Sequence, residues 1–368
     1  RQYLTLYPGD FAAWGRLANS EWHLLNDFRA AEASVRRMTS DKYPRLGAGF
    51  YMLGVTLLGQ ERRTEAAKAF ATSRQQGFYA FGDLLSRVYQ VDRDHAAADR
   101  AYAESTSGKQ GWQGEAAVVT YIDRARWNDA EAAARGWLAE ARDSGEAGQS
   151  LRALAALATV QVLAAKADGA VGVRELARAA ADPRGSAAAN AAVPYAAIEA
   201  RLIAALLAAR QGDRVLLRES ITAIGTDPIM RDYPTIGQLH QVVLAEQDRL
   251  AGDPAAAIRR LAPLSRRHDS LVMVHWTLLR AARDGGNLRL ARAQGRWLAA
   301  HRGRAFMEAT TTDILRFINI DATNRALLDL AEVAMASGDR AEAARQIAAY
   351  EAAVPGDGRG TLERERLL

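Results

Sequence analysis

Apolar and small residues recur along the chain at helical intervals, in pairs of segments separated by short polar breaks. The clearest pair lies between Phe50 and Phe70. Phe50, Leu53 and Gly54 fall on one face of a first helix, and Ala66 and Phe70 lie one turn apart in a second helix. A small residue at a helix crossing allows close approach. The pattern therefore predicts helical pairs that must stack on neighbouring pairs to bury their apolar faces.

The same spacing recurs around this pair. It appears as Trp14-x2-Leu17-Ala18 with Ala30, as Leu85-Ser86-x2-Tyr89 with Ala98, and as Ala117-Val118-x2-Tyr121 with Ala130. From Ala30 the small residues of the second helices advance by 36, 32 and 32 residues. Later in the chain, Gly-Asp and Gly-Asn dipeptides predict a helix end followed by an N-cap, as at Gly252-Asp253 and Gly338-Asp339.

The elements Phe50-x2-Leu53-Gly54 and Ala66-x3-Phe70 resemble the tetratricopeptide repeat. This resemblance implies an all-α fold, a TPR-like superhelix of about nine helical pairs. The predicted order is residues 1–9 as the tail of an upstream repeat, 10–146 as four regular pairs, 147–235 as degenerate Ala-rich pairs, 236–301 as further repeat-like pairs, 302–321 as an insertion with a short helix at 314–318, 322–356 as the last pair, and 357–368 as a flexible tail.

The succession of repeats, with the opening Leu6-Tyr-Pro-Gly-Asp-Phe11, is also similar to the C-terminal repeat arms of bacterial eukaryotic-like serine/threonine kinases and of related winged-helix regulators and nucleotide cyclases. That similarity implies a sensing or docking arm beside a separate catalytic domain. The first residue is Arg1 rather than Met, and we expect at least a half-repeat upstream of it.

Catalytic motifs are missing from the sequence. The chain has no Gly-rich kinase loop with its lysine and metal-binding Asp-Phe-Gly, no P-loop, no nucleophile elbow and no H-E-x-x-H. It has no Cys, which excludes thiolate catalysis and is compatible with either side of a bacterial inner membrane, slightly favouring the outside. The separation of His268 from His275 by Asp269-Ser270, a predicted N-cap, argues against a metal site. We predict neither enzyme activity nor a cofactor.

A partner peptide or helix is the predicted ligand. In this repeat, first-helix residues that do not contact the second helix line a concave groove, and a polar groove suits such a ligand. The predicted groove residues are Arg16, Asn19, His23, Asp83, Arg87, Gln90 and Asp123. The sequence thus predicts a protein–protein interaction scaffold or sensor arm of a bacterial signalling protein. A signal peptide directly upstream would instead favour an envelope-assembly scaffold.

Charge supplies one further alternative. Residues 255–305 contain eleven Arg against two carboxylates, Asp269 and Asp284, whereas the whole chain has a net charge of only +5. Because Arg binds phosphate and carboxylate bidentately, this region could bind nucleic acid, an acidic membrane surface or an acidic protein. The candidate basic patch consists of Arg259, Arg260, Arg289, Arg292 and Arg296.

Overall fold

The structure, a computed structural model, describes residues 2–39, 47–78, 84–106, 113–181, 193–225, 229–310, 313–355 and 359–367. Within these ranges all regular structure is helical and there is no strand, which confirms the predicted all-α class. No helix in these ranges is long and apolar enough to cross a membrane.

The chain divides into two compact units, and we number the described helices in chain order. Unit 1 consists of Arg1–Trp112 and His301–Ala309. Its helices are α1 (Gln2–Leu6), α2 (Phe11–His23), α3 (Phe28–Met38), α4 (Gly47–Leu58), α5 (Arg63–Gln75), α6 (Leu84–Val91), α7 (His95–Thr106) and, from the later stretch, α19 (Arg302–Met307).

Unit 2 consists of Gln113–Ala300 and Thr310–Leu368. Its helices are α8 (Gln113–Asp123), α9 (Trp127–Asp143), α10 (Ala147–Leu163), α11 (Gly169–Ala181), α12 (Val193–Gln211), α13 (Arg214–Ile224), α14 (Ile229–Asp232), α15 (Pro234–Leu250), α16 (Pro254–Leu261), α17 (Val272–Asp284), α18 (Leu288–Ala300), α20 (Leu315–Ala336), α21 (Arg340–Ala353) and α22 (Arg359–Leu367), with a 3-10 turn at Leu264–Arg266.

A single turn conformation joins the helices of successive packed pairs. The residue before the N-cap has a positive φ, as at Asn26, Glu61 and Arg93 in the first half and at Gly252 and Gly338 in the second. Gly adopts this left-handed conformation without the steric cost that other residues incur. The Gly-Asp signal therefore marks the turn at Gly252 and Gly338, whereas the same turn at Asn26, Glu61 and Arg93 carries no glycine.

The N-cap fixes where the second helix begins. The Asp27 carboxylate accepts a hydrogen bond from the Ala30 amide at 3.0 Å, and the Asp94 carboxylate accepts one from the Ala97 amide at 2.9 Å. These bonds satisfy amides that have no partner within the helix. The cap therefore sets the register in which the second helix presents its buried face.

The buried small residue lies four positions after the N-cap. Ala66 and Ala98 are buried as predicted, but in the first pair the buried residue is Ala31 and the predicted Ala30 is only half-buried. The cap explains this correction, because Ala30 is the residue whose amide bonds to Asp27 and the core-facing position follows it.

Gly54 shows why a glycine is needed at the crossing of α4 and α5. A Cβ atom on Gly54 would lie 2.4 Å from Cε1 of Phe70, which is closer than any side-chain contact tolerates. Phe70 is itself buried, so its ring has little room to move away. The structure thus confirms that a small residue in the first helix permits the close approach of the second.

Two stretches differ from the sequence-based expectation. The short helix expected at 314–318 is instead the start of α20, which continues to Ala336 because no Gly or Pro interrupts it. The expected flexible tail contains α22, which packs against α21. There Arg364 pairs with Glu351 at 2.5 Å, and Gly360 allows close contact with that same glutamate.

Candidate functional site

Two of the predicted groove residues line an open depression in unit 1. Arg16 and Asn19 lie on α2 and are exposed, and the depression has a volume of about 830 Å³. Its walls also include Phe11, Met38 and Met52, so it is largely apolar around these two polar side chains. His23, at the end of the same helix, is only partly exposed and lies against the ring of Trp22 with a centroid separation of 4.1 Å.

The other described groove residues are not on an open face. Arg87, Gln90 and Asp123 are 7%, 1% and 1% exposed, which contradicts the expectation that they face an empty groove. Asp83 lies outside the described residues. The carbonyl of Gln90 accepts a hydrogen bond from Arg302, and the carbonyl of Asp123 accepts one from Asn324. Arg302 of the predicted insertion and Asn324 of the predicted last pair therefore contact these two positions directly.

In unit 1, residues 301–309 lie over the C-terminal ends of α2, α4 and α6, and we call them the docked segment. They are buried except for the partly exposed His301. They meet the three helices in reverse order, α6 first and α2 last. The docking surface comprises Trp22, Asn26, Leu58, Glu61, Gln90 and Val91.

At the middle of the docking surface, Glu61 holds the main chain of the docked segment. Its two carboxylate oxygens accept hydrogen bonds from the amides of Gly303 at 3.1 Å and Arg304 at 2.9 Å. These amides belong to the first turn of α19 and have no partner within that helix. A carboxylate at this position also faces the positive end of the helix dipole.

Arg302 satisfies the C-terminal end of α6. Its guanidinium donates to the carbonyl of Gln90 at 2.9 Å and to the carbonyl of Val91 at 3.3 Å. The last carbonyls of a helix lack partners within it, and a cation near them interacts favourably with the helix dipole. Arg302 is 2% exposed, so these carbonyls supply acceptors for a charge that burial would otherwise make costly.

Trp22 and Asn26 hold the other end of the docked segment. The indole Nε1 of Trp22 donates to the carbonyl of Met307 at 2.8 Å, and Nδ2 of Asn26 donates to the Glu308 carboxylate at 3.2 Å. The Asn26 carbonyl in turn accepts from Arg304 at 3.4 Å. Asn26 occupies the positive-φ turn, so the turn that joins α2 to α3 also forms part of the docking surface.

In unit 2, the first half of α20 is held by side-chain ion pairs. Arg316 pairs with Glu115 of α8 at 2.6 Å, and Arg152 of α10 pairs with the same carboxylate at 2.6 Å. The Asn324 amide group reaches the carbonyl of Asp123, the last residue of α8, at 3.0 Å. These contacts tie α20 to two other helices through buried charges rather than through its own main chain.

Asp321, also on α20, is a buried carboxylate that pairs with two arginines. It accepts from Arg210 at 2.5 Å and from Arg359 at 3.3 Å. Burial acts to raise the pKa of Asp321, but the charges of Arg210, Arg325 and Arg359 outweigh it and hold the pKa below its usual value. The carboxylate is therefore ionised at neutral pH, and its role is structural.

The candidate basic patch is less positive than its sequence suggests. Arg259, Arg289 and Arg296 are exposed, whereas Arg260 pairs with Asp248 at 3.0 Å and Arg292 bonds to the Ser337 hydroxyl at 3.0 Å. Neighbouring arginines pair with carboxylates from outside residues 255–305: Arg280 with Glu246, and Arg283 with Asp329 and Glu332. These partners offset much of the local excess of positive charge.

Within the described ranges, no group of three or more His, Asp and Glu side chains is placed to hold a metal ion. His275 is buried against Trp297, with the rings stacked at 3.4 Å, and its Nδ1 lies 2.7 Å from Oε1 of Gln294. His275 lies in α17, which begins at Val272 with Leu271 as its N-cap, rather than with the predicted Asp269-Ser270. Asp269 instead pairs with Arg267 at 2.6 Å.

No protein-family model matches the chain, and no curated protein matches it significantly. The residues themselves therefore supply the argument for function. Of the docking surface, the groove prediction named only Gln90, because the other members lie at helix ends or in turns, whereas the prediction selected positions along the helices. The sequence contained one signal of a buried segment there: the apolar run Ala305-Phe306-Met307 lies inside a stretch that breaks the repeat spacing.

Proposed function

We propose that this chain is a non-catalytic scaffold that binds a partner peptide or helix, built as a tetratricopeptide-like superhelix of about nine helical pairs. The recurring turn, the buried small residue four positions after the N-cap and the glycine at the α4–α5 crossing support the repeat assignment. We assign the scaffold to a bacterial signalling or regulatory protein, as the resemblance implies.

The observation that carries this proposal is the docked segment in unit 1. A short stretch, distant in sequence from the helices that it covers, is held across three helix ends: side chains of Trp22 and Glu61 bind its main chain, and the Gln90 carbonyl binds its Arg302 side chain. Binding of a short helix from a partner is an established mode of peptide recognition. Because the receiving helices are already ordered, the scaffold loses little entropy when a ligand binds.

A peptide-display selection tests this function. The wild-type chain and the variant Gly303→Ala, which weakens the docked segment, are each used to select from a phage-displayed peptide library. We expect the variant to enrich peptides that the wild type does not, because its docking surface is accessible. Addition of Glu61→Gln to the variant should then weaken their binding by about 5- to 30-fold.

The exposed arginines provide the matched control. Replacement of Arg289 and Arg296 by Glu should leave the selected peptides bound, since these residues lie in unit 2. If no peptide is enriched by either chain, the scaffold function is wrong. If binding is lost with the Arg289 and Arg296 changes but not with Glu61→Gln, an anionic partner on the basic patch replaces the proposed one.

A further inference from the structure

We propose that the docking surface recognises the sequence Arg-Gly-Arg-x-Phe in a partner protein, and that the docked segment is the chain's own competing copy of that ligand. This inference rests on the proposed scaffold function and specifies its partner. The copy is Arg302-Gly303-Arg304-Ala305-Phe306. Three of the four specified positions contact the surface directly, and the fourth, Phe306, is fully buried in the docked segment.

The first arginine is selected by the end of α6. Arg302 donates to two successive carbonyls, those of Gln90 and Val91, from Nη2 and Nε. The rigid guanidinium fork matches this pair of acceptors, whereas a lysine ammonium offers a single point charge on a flexible stem. The site is buried, so a neutral residue here would leave the helix-end carbonyls without this donor.

The glycine is selected by the end of α4. A Cβ atom at position 303 would lie 2.2 Å from the carbonyl oxygen of Leu58, the last residue of that helix. The obstacle is backbone rather than a flexible side chain, so it cannot move aside without disturbing α4. The Gly303 amide also bonds to Glu61, which fixes the main chain at the point of closest approach.

The second arginine and the aromatic residue complete the recognition sequence. The Arg304 guanidinium lies 5.2 Å from the centre of the Phe28 ring, within the range of a cation–π contact, and reaches the carbonyl of Asn26. Phe306 is fully buried and lies beneath Arg302 with a separation of 5.6 Å. Ala305, the residue between them, is buried, and its side chain has no polar atom, so this position is left unspecified.

Covalent attachment gives the internal copy an advantage over a ligand in solution. Binding of a tethered segment is intramolecular, so its occupancy does not depend on the concentration of the chain. A partner must therefore bind more tightly than the internal copy or arrive at high local concentration. The docked segment thus sets a threshold, and a partner that exceeds it releases residues 301–309.

Fluorescence anisotropy with synthetic peptides tests the recognition sequence. The probe is labelled His-Arg-Gly-Arg-Ala-Phe-Met-Glu-Ala, and the control peptide has Ala in place of Gly, a difference of one methyl group. The protein is the full chain carrying Arg302→Ala and Phe306→Ala, which removes two anchors of the internal copy. We expect the probe to bind this variant at least tenfold more tightly than it binds the wild type, and at least tenfold more tightly than the control peptide binds the variant.

A second measurement uses the wild-type chain and does not depend on the folding of a variant. Hydrogen exchange of the Gly303 and Arg304 amides is followed with increasing probe, with the control peptide in parallel. We expect the probe to accelerate exchange at these amides several-fold, because it displaces the docked segment, and the control to leave exchange unchanged.

The outcomes separate the two proposals. If the peptides from the display selection bind but the probe does not, or if the probe and control bind equally, the recognition sequence is wrong and the scaffold function stands. If neither probe nor selected peptides bind, both proposals fail. Self-association of the variant without probe binding would also overturn the inference, in favour of exchange of residues 301–309 between two copies.

Discussion

The docked segment in unit 1 and the first half of α20 in unit 2 both cover helix ends, but different interactions hold them. The docked segment presents main-chain amides and carbonyls to Glu61 and Trp22. The α20 helix instead places charged side chains opposite fixed charges, as Arg316 does with Glu115. Main-chain contacts can be reproduced by a separate peptide, whereas a buried ion pair must be assembled as the fold forms.

This difference separates a site for ligands from part of the core. Breaking a buried ion pair leaves an uncompensated charge, and the penalty falls on the stability of the whole unit. Loosening the docked segment exposes groups that water can satisfy at modest cost. The comparison therefore predicts large global effects from changes in α20 and small local effects from changes in the docked segment.

The largest effect is expected at Arg210, which pairs with the buried Asp321 and lies 4.8 Å from the ring of Trp276. Replacement by Ala removes this packing and leaves Asp321 with Arg359 as an ion-pair partner and the charge of Arg325 nearby. We expect the free energy of unfolding to fall by about 3–5 kcal/mol, measured by chemical denaturation followed by helicity.

Arg135 provides the control for that experiment, because its contacts with Glu131 and Asp168 are exposed. Arg135→Ala should cost less than about 1 kcal/mol. Equal losses at the two arginines would show that burial does not determine the cost of breaking an ion pair in unit 2.

A smaller effect is expected for Gly303→Ala. The added methyl meets the Leu58 carbonyl, and we expect a cost of about 1–3 kcal/mol, the usual range for overpacking. Hydrogen exchange should accelerate in residues 301–309 and remain slow in α20. Gly136→Ala is the control, since a Cβ there meets nothing within 4 Å, and it should be neutral or stabilising. Faster exchange throughout α20 would contradict the prediction that Gly303→Ala has a local effect on residues 301–309.

A still smaller effect is expected for Glu61→Gln. The side chain keeps one acceptor of similar shape but loses the charge that strengthens both main-chain hydrogen bonds, which should cost about 1–2 kcal/mol. The measurement is the exchange rate of the Gly303 and Arg304 amides. Glu65→Gln serves as the control, because Glu65 is exposed and pairs with the neighbouring Arg62. Equal acceleration of exchange by the two variants would contradict the role that we give to Glu61.

The smallest effect is expected on the basic patch. Arg289→Glu with Arg296→Glu changes exposed side chains, and the free energy of unfolding should change by no more than about 0.5 kcal/mol. Peptide binding to unit 1 should be unchanged. A loss of peptide binding in this double variant, with the fold retained, would show that charge rather than the docking surface selects the ligand.

The pattern of apolar and small residues predicted the helices and their packing contacts, because both depend on spacing within a short window. Ala66, Phe70 and Gly54 illustrate this. The one-residue error at Ala30 arose from counting between repeats rather than from the N-cap at Asp27. The local sequence was therefore sufficient to predict these elements, provided that positions in the second helix are counted from its N-cap.

The site could not be predicted in the same way. Arg316, Asp321 and Asn324 look like solvent-facing residues of a helix, yet each is buried with a partner more than a hundred residues away in sequence. The same holds for Arg302 and the carbonyls of α6. The periodicity of apolar residues within a helix cannot predict such pairings, because they depend on which surface residues 301–336 cover in the folded chain.

The position of the docked segment in the chain also has a consequence for synthesis. Arg302 is 211 residues from the Val91 carbonyl that it contacts, and Met307 is 285 residues from Trp22. At about 5–20 residues per second, the ribosome needs on the order of 10–60 s to translate these intervals. During each round of translation, the first helices are therefore synthesised well before residues 301–309, so the docking surface of a nascent chain is uncovered until the docked segment has been made.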